Sequence, residues 1–357
     1  MSAATESPVL VSVRNGIGYL TLNRPTGLNA LTLEMVRLLH ERLRQWADDP
    51  AIRAVALRGA GEKAFCAGGD IRSLYDSHKS GGDLHLRFFE EEYALDQYIH
   101  AYAKPVLALM DGFVLGGGMG LVQGASLRVV GERVRMGMPE TGISYFPDVG
   151  GSYFLPRLPG ELGLYLGLTG THVGAADALS AGLADYALPS ARFTELEARL
   201  DTLVWDRPPI ETLTALLDEL GARRLPDARL DPLRPAIDRH FAQPDVAAIR
   251  ASLQAEDDPA LRPWAEETVT QLDGRSPLAL AVTLELLRRG RALRLADCFR
   301  LETHLDRQWF DHGDIMEGVR ALLVDKDKQP RWNPPRLADV SAERVQAFFD
   351  GFHASSV

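Results

Sequence analysis

Short apolar runs that alternate with amphipathic helical stretches, several of them closing on a glycine, are the feature that most narrows what this chain can fold into. Residues 9–13 and 17–22 are β-prone, and the intervening Asn15-Gly16 suits a tight hairpin turn. After Asn29 the period changes. Leu33, Val36, Leu39, Leu43 and Trp46 recur at helical spacing, behind Thr32 as a candidate N-cap. Residues 54–57 read as a buried strand ending at Arg58-Gly59, and residues 106–110 as another ending at Asp111-Gly112. Strands alternating with helices in this way predict an α/β fold, with a mostly parallel sheet and crossover helices.

Residues 84–102 are expected to form a helix whose apolar stripe is Leu84, Phe88, Leu95, Ile99 and Tyr102. Glu91 and Glu92 fall on opposite shoulders of that stripe, and periodicity does not choose between them. Short helical patterns over residues 162–188 lead into a last apolar run, residues 183–188. Beyond Ser190 glycine thins out and Leu, Ala, Arg, Asp and Glu dominate, so a helical region is expected, punctuated at Arg207-Pro208-Pro209, Leu225-Pro226, Asp231-Pro232 and Ser276-Pro277. The expected division is a catalytic core over residues 1–200 and a helical region over 201–357 packing on it.

The formal charge of −10 in 357 residues argues against a nucleic-acid binder. The two cysteines, Cys66 and Cys298, provide neither a disulfide framework nor metal-ligand spacing. No apolar run is long enough to span a membrane. The first residues lack a basic stretch followed by an apolar core, so no signal peptide and a cytoplasmic setting are expected.

Three segments hold the residues suited to chemistry. Pro139 to Gly151 places Glu140 and Asp148 among apolar, glycine and proline neighbours, where a charge needs a partner or a task. Pro147 between them breaks a continuous helix, so they do not share one helix face. The loop from Lys63 to Arg72, with Gly68-Gly69, follows the strand at 54–57. The loop from Asp111 to Gly120, with Gly116-Gly117-Gly118, follows the strand at 106–110 and enters a helix. Glycines there let a ligand approach backbone N–H groups, and one donor from each loop would build an oxyanion hole without side chains. The spacing is not that of a dinucleotide fingerprint. Cys66 reads as a small packed residue and not a nucleophile, and His312 and Asp314 read as structural.

Four segments together resemble the crotonase superfamily: Leu22-Asn23-Arg24-Pro25 with Leu28-Asn29-Ala30-Leu31, Ala64 to Asp70, Gly112 to Gly120, and Pro139-Glu140. Within it the chain resembles the branch that hydrolyses 3-hydroxyisobutyryl-CoA. That likeness rests on Phe89-Glu90-Glu91-Glu92-Tyr93, Met138 to Thr141, Phe146 to Gly151 with Phe154 to Leu158, and Gly313 to Ala321 with Asp325 to Lys328.

The resemblance implies a crotonase-like ββα-type spiral core and an acyl-CoA thioester substrate. It implies no metal or redox cofactor, coenzyme A being part of the substrate. It implies Gly69 and Gly117 as oxyanion donors and Glu140 as the central carboxylate, which either attacks the carbonyl to give an acyl-enzyme anhydride or activates a water. Asp148 would orient the substrate hydroxyl and assist proton transfer. Glu92, adjacent to Tyr93, would contact substrate or the second carboxylate. Arg24, Lys63, Arg72 and Lys326 are candidates for the coenzyme A phosphates, while Thr26 stands where hydratases often carry lysine. Enoyl-CoA hydratases use a further glutamate just after the glycine run; here that position is Gly120. Superfamily members often form trimers or hexamers, which makes a homo-oligomer an expectation.

Overall fold

The computed structural model describes residues 6–221 and 227–355. Leu225-Pro226 lies outside them. The described residues hold nine strands: β1 (Val9–Arg14), β2 (Ile17–Leu22), β3 (Ala54–Gly59), β4 (Ala64–Cys66), β5 (Val106–Met110), β6 (Phe113–Leu115), β7 (Leu127–Gly131), β8 (Arg135–Gly137) and β9 (Tyr186–Leu188). The chain divides into two compact units, each assembled from three separated segments, so neither coincides with residues 1–200 or 201–357.

The first unit comprises Met1–Gly69, Ala94–Met136 and Val173–Asp227. Its main sheet has the order β1-β2-β3-β5-β7-β9, antiparallel at the β1–β2 hairpin and parallel elsewhere. Asn15 and Gly16 adopt φ of 46° and 74°, the left-handed pair that a two-residue hairpin turn requires. The helix Leu33–Ala47 starts where the spacing predicts, and the Thr32 side chain accepts the Met35 N–H.

The inner strands are buried on both faces, β2 and β5 along their whole length, as parallel strands covered on either side should be. Ile17 and Tyr19, Ala54 and Ala56, Leu107 and Leu109, and Leu127 and Val129 share one apolar cluster with Leu196 and Leu200. Leu213, Leu216, Leu217 and Leu220 join the same cluster. The helices Phe193–Asp201 and Pro209–Leu220, which carry those leucines, therefore cover the sheet. The second sheet, β4-β6-β8, differs from expectation. Both glycine segments read as plain loops contain a three-residue strand, and β4 and β6 pair in parallel. Strands this short carry no readable period.

The second unit comprises Asp70–Tyr93, Gly137–His172 and Ala228–Val357. It is helical, and among the described residues no strand follows β9. The helix Pro277–Gly290 begins at a proline behind Ser276, whose side chain accepts the Ala279 N–H. Ser276 also donates to Asp314 Oδ2 at 2.8 Å, and Asp314 accepts the Asn333 N–H, which gives Asp314 the structural role expected of it. The helix Leu295–His312 buries Phe299, Leu305 and Trp309, together with the carboxylates Glu302 and Asp306. Gly318 lets the helix Ile315–Val319 pack on the turn Glu140–Ile143, since a Cβ there would lie 2.2 Å from the Ile143 carbonyl oxygen.

Candidate active site

In the first unit, Asn29 anchors the start of the first glycine segment. It sits at φ 55°, and its Oδ1 accepts the Arg24 N–H while its Nδ2 donates to the carbonyls of Ala60 and Ala64, each at 2.9 Å. The following Leu31 donates its N–H to Gly68 at 2.8 Å and bridges Gly69 in parallel. Gly68 has φ 99°, and a Cβ there would stand 3.3 Å from the Leu115 carbonyl and 3.7 Å from the Gly117 nitrogen. The segments carrying Gly69 and Gly117 thus lie side by side. Gly117 is the first residue of the helix Gly117–Gln123, a position whose N–H has no partner in the helical ladder. Gly118 is packed so closely that a Cβ would meet the Cys66 carbonyl at 2.5 Å. Cys66 itself is buried, with its thiol 3.7 Å from the Gly68 carbonyl, as a packed residue should be.

In the second unit, Glu140 opens the 3-10 turn Glu140–Ile143. The next residue, Thr141, ties the turn to the helix Leu162–Thr169 by donating to the Leu168 carbonyl at 3.1 Å. Glu140 is buried, and its Oε2 makes no hydrogen bond among the described residues. Desolvation and then the charge of Asp148 push its carboxyl well above the ordinary range. Asp148 is also buried and accepts the Tyr93 hydroxyl at 2.7 Å. Burial raises its carboxyl to about 7, against the lowering effect of that hydrogen bond. Two carboxyls that cannot both ionise at low cost, one held by a phenol and one with an oxygen left over, can divide the acid and base roles.

The residue after Asp148 is strained. Val149 has φ 50°, a rare conformation for a β-branched side chain. Glu302 holds the turn: one oxygen accepts the Gly150 N–H at 2.8 Å, and the other accepts the Ser152 N–H at 2.9 Å and the Ser152 hydroxyl. Burial nevertheless lifts the Glu302 carboxyl to about 8. Four residues later Asp306 accepts the Tyr145 hydroxyl at 2.8 Å, and burial raises its carboxyl well above normal. The sequence reading missed Glu302, Asp306 and Tyr145. The two carboxylates lie at i, i+4 on the apolar face of their helix, and that spacing was the available signal.

Of the other candidates, Glu92 is fully buried beside Tyr93 whereas Glu91 is half-exposed, so burial separates the pair that periodicity left open. Arg24 donates to the Ala30 carbonyl at 2.6 Å. Arg72 is exposed, 3.9 Å from Asp76, and Lys63 and Lys326 are exposed. His312 is exposed at the end of its helix. Among the described residues there is no cluster of His, Cys, Asp and Glu suited to a metal ion, and no helix is long and apolar enough to cross a membrane.

The family model for enoyl-CoA hydratase/isomerase matches residues 17–349, and the chain belongs to that family. The mitochondrial 3-hydroxyisobutyryl-CoA hydrolase of Danio rerio is 40% identical, over 98% of this chain and 91% of its own. A solved carnitinyl-CoA dehydratase from Mycobacterium thermoresistibile is also 40% identical, with a TM-score of 0.89 and 96% of each chain covered. An enoyl-CoA hydratase from Rhodobacter sphaeroides is 38% identical with a TM-score of 0.87, covering 96% of this chain and 97% of its own. These neighbours extend the crotonase-like fold through the helical C-terminal region.

Proposed function

We propose that the chain hydrolyses the thioester of 3-hydroxyisobutyryl-CoA, releasing the free hydroxy acid and coenzyme A, a step of valine breakdown. The observation that carries this reading is the buried Glu140–Asp148 pair, in which Glu140 Oε2 has no hydrogen-bond partner among the described residues. Gly120 supports it, standing where a hydratase has the first of its two glutamates. Hydration of a double bond needs a carboxylate at that position to manage water and proton; thioester cleavage does not.

In this reading Glu140 either attacks the thioester carbonyl or deprotonates the attacking water. Asp148, fixed by Tyr93, orients the substrate hydroxyl and assists proton transfer. The backbone N–H groups of Gly69 and Gly117 supply oxyanion stabilisation, and Glu92 contacts substrate or Asp148. No metal or redox cofactor is called on, and homo-oligomer formation is part of the same proposal. The Danio rerio relative's name supports the substrate. Related 3-hydroxyacyl thioesters are expected to compete, because one methylene in an apolar pocket is worth only about 1–3 kcal/mol.

Thiol release from 3-hydroxyisobutyryl-CoA, compared between the wild type and Glu140→Gln, tests the proposal. Equal rates would sink the role of Glu140. Loss of the enoyl chromophore of crotonyl-CoA at a rate matching thiol release would favour a hydratase instead, the activity named for the Rhodobacter sphaeroides neighbour.

A further inference from the structure

Four buried groups of the second unit form one continuous array. Tyr93 donates to Asp148 Oδ2 at 2.7 Å and Tyr145 donates to Asp306 Oδ1 at 2.8 Å. The Tyr93 and Tyr145 hydroxyls also lie within hydrogen-bonding reach of each other. The rings are held in place: Tyr145 stacks on Phe89 and on Phe146, and Tyr93 packs against Phe89 and Phe299. Three oxygen–oxygen gaps therefore separate Asp148 from Asp306, and each needs one hydrogen.

The two phenols bring two hydrogens, one each. With both carboxyls ionised, both hydroxyls point outward and the gap between the phenols has none. With one added proton the count closes. Asp148 then donates to Tyr93, Tyr93 to Tyr145 and Tyr145 to Asp306, or the whole chain runs in reverse with the proton on Asp306. A buried polar contact lacking its hydrogen is costly, so the array favours the singly protonated state.

We infer that Asp148 and Asp306 share one mobile proton through Tyr93 and Tyr145, and that this array carries protons between the reaction centre and Asp306. The inference rests on the hydrolysis proposed above for its purpose. Cleaving a thioester with water forms a C–O bond and breaks the C–S bond. One proton of the water ends on the thiol, and the other leaves as the product ionises to a carboxylate. That second proton must escape a buried site at every turnover. Passed from Asp148, it moves each of the three hydrogens across its own gap, so that a proton arrives on Asp306 and neither phenol is ever left ionised. Burial keeps both phenols neutral, holding their ionisation far above the ordinary range.

The charged and titratable groups facing the array are Glu140 and Glu302 at the Asp148 end, and Glu90 with Arg307 at the Asp306 end. Arg307 and Glu90 pair at 2.8 Å on exposed side chains, so the Asp306 end of the array is the one nearest solvent, into which the proton leaves. Asp306 is thus a positioning and relay residue that acts through Asp148.

Asp306→Asn tests this directly. Its amide N–H supplies the missing hydrogen to Tyr145 and completes the array with Asp148 ionised, while removing the proton acceptor. Infrared difference spectra of wild type minus Asp306→Asn at pH 7 should show one protonated-carboxyl band, read without any turnover. For thiol release from 3-hydroxyisobutyryl-CoA, kcat should fall about 10²-fold with KM little changed. The proton inventory in mixed H2O and D2O should change from bowed, with several protons in flight, to linear. Tyr145→Phe, which opens the array, should act in the same direction, and it decides the matter if the asparagine variant does not fold. Absence of the band, or wild-type kcat and isotope effect in the folded variants, overturns the inference. A band present in a wild type that cleaves no thioester would leave the shared proton standing and overturn the proposed function instead.

Discussion

The Tyr93 hydroxyl donates to Asp148 Oδ2 at 2.7 Å, fixing a carboxyl on an irregular turn by a residue from a helix 55 positions earlier in the chain. This contact separates the two acidic residues of the Pro139–Gly151 segment. Asp148 has a donor of its own, whereas Glu140 keeps an oxygen without a partner among the described residues. Reactivity is therefore expected to concentrate at Glu140.

Replacing Glu140 by Gln keeps the side chain's shape and removes its basicity and nucleophilicity. Thiol release should fall by about 10²–10⁴-fold, the range for loss of a positioned acid–base group. The thermal midpoint should hold or rise, because desolvation of this carboxyl opposes folding at neutral pH. A variant that melts normally and turns over at the wild-type rate contradicts the assignment.

Asp148 makes stability depend on pH with a definite sign. Its carboxyl titrates at about 7 in the folded chain and near 3.9 when unfolded. The folded state therefore binds the proton more tightly. The stability this confers is complete below about pH 4 and is lost as pH rises through 7. Thermal melts between pH 5 and 8.5 should show the midpoint declining, and Asp148→Asn should flatten the decline. An unchanged slope in the variant would count against the buried carboxyl as its source.

Gly318 is required by the close approach of its helix to the Glu140 turn. Gly318→Ala should cost about 1–3 kcal/mol, because the new methyl would meet the Ile143 carbonyl. It should also lower kcat by moving Glu140. Chemical denaturation together with thiol release checks both effects, and a neutral substitution would mean that the turn yields freely.

Asn29 makes three hydrogen bonds at a positive φ. Asn29→Ala should destabilise the chain by about 4–5 kcal/mol, from roughly 1 kcal/mol per bond plus roughly 1–2 kcal/mol of backbone strain. The Gly69 segment should loosen with it. Hydrogen exchange at residues 60–69 measures the local effect, and unchanged protection there would deny Asn29 its anchoring role.

Locally encoded features were legible in the chain. The Asn15-Gly16 hairpin, the Thr32 cap and the stripe from Leu33 to Trp46 each depend on neighbours a few residues apart, so pattern alone placed them. The resemblance carried by the Pro-Glu and glycine segments likewise led to the family that the chain belongs to. β4, β6 and β8 were not legible, because three residues are too few to establish a period. Glu302 and Asp306 were not found either. Their i, i+4 spacing puts them on the helix's apolar face, but spacing alone does not tell a buried acid from a solvated one, and packing reveals both as buried.

By itself the sequence determined the alternation of strand and helix, the family, and the identity of Glu140 and Asp148 as the acids of interest. Tertiary structure decided their environment. Burial sets the ionisation of both acids and Tyr93 further tunes Asp148, and the hydrogen-bonded line from Asp148 to Asp306 joins side chains from three separate stretches of chain. Desolvation and hydrogen-bond partners depend on what the folded chain brings within a few ångströms, and no local pattern encodes that.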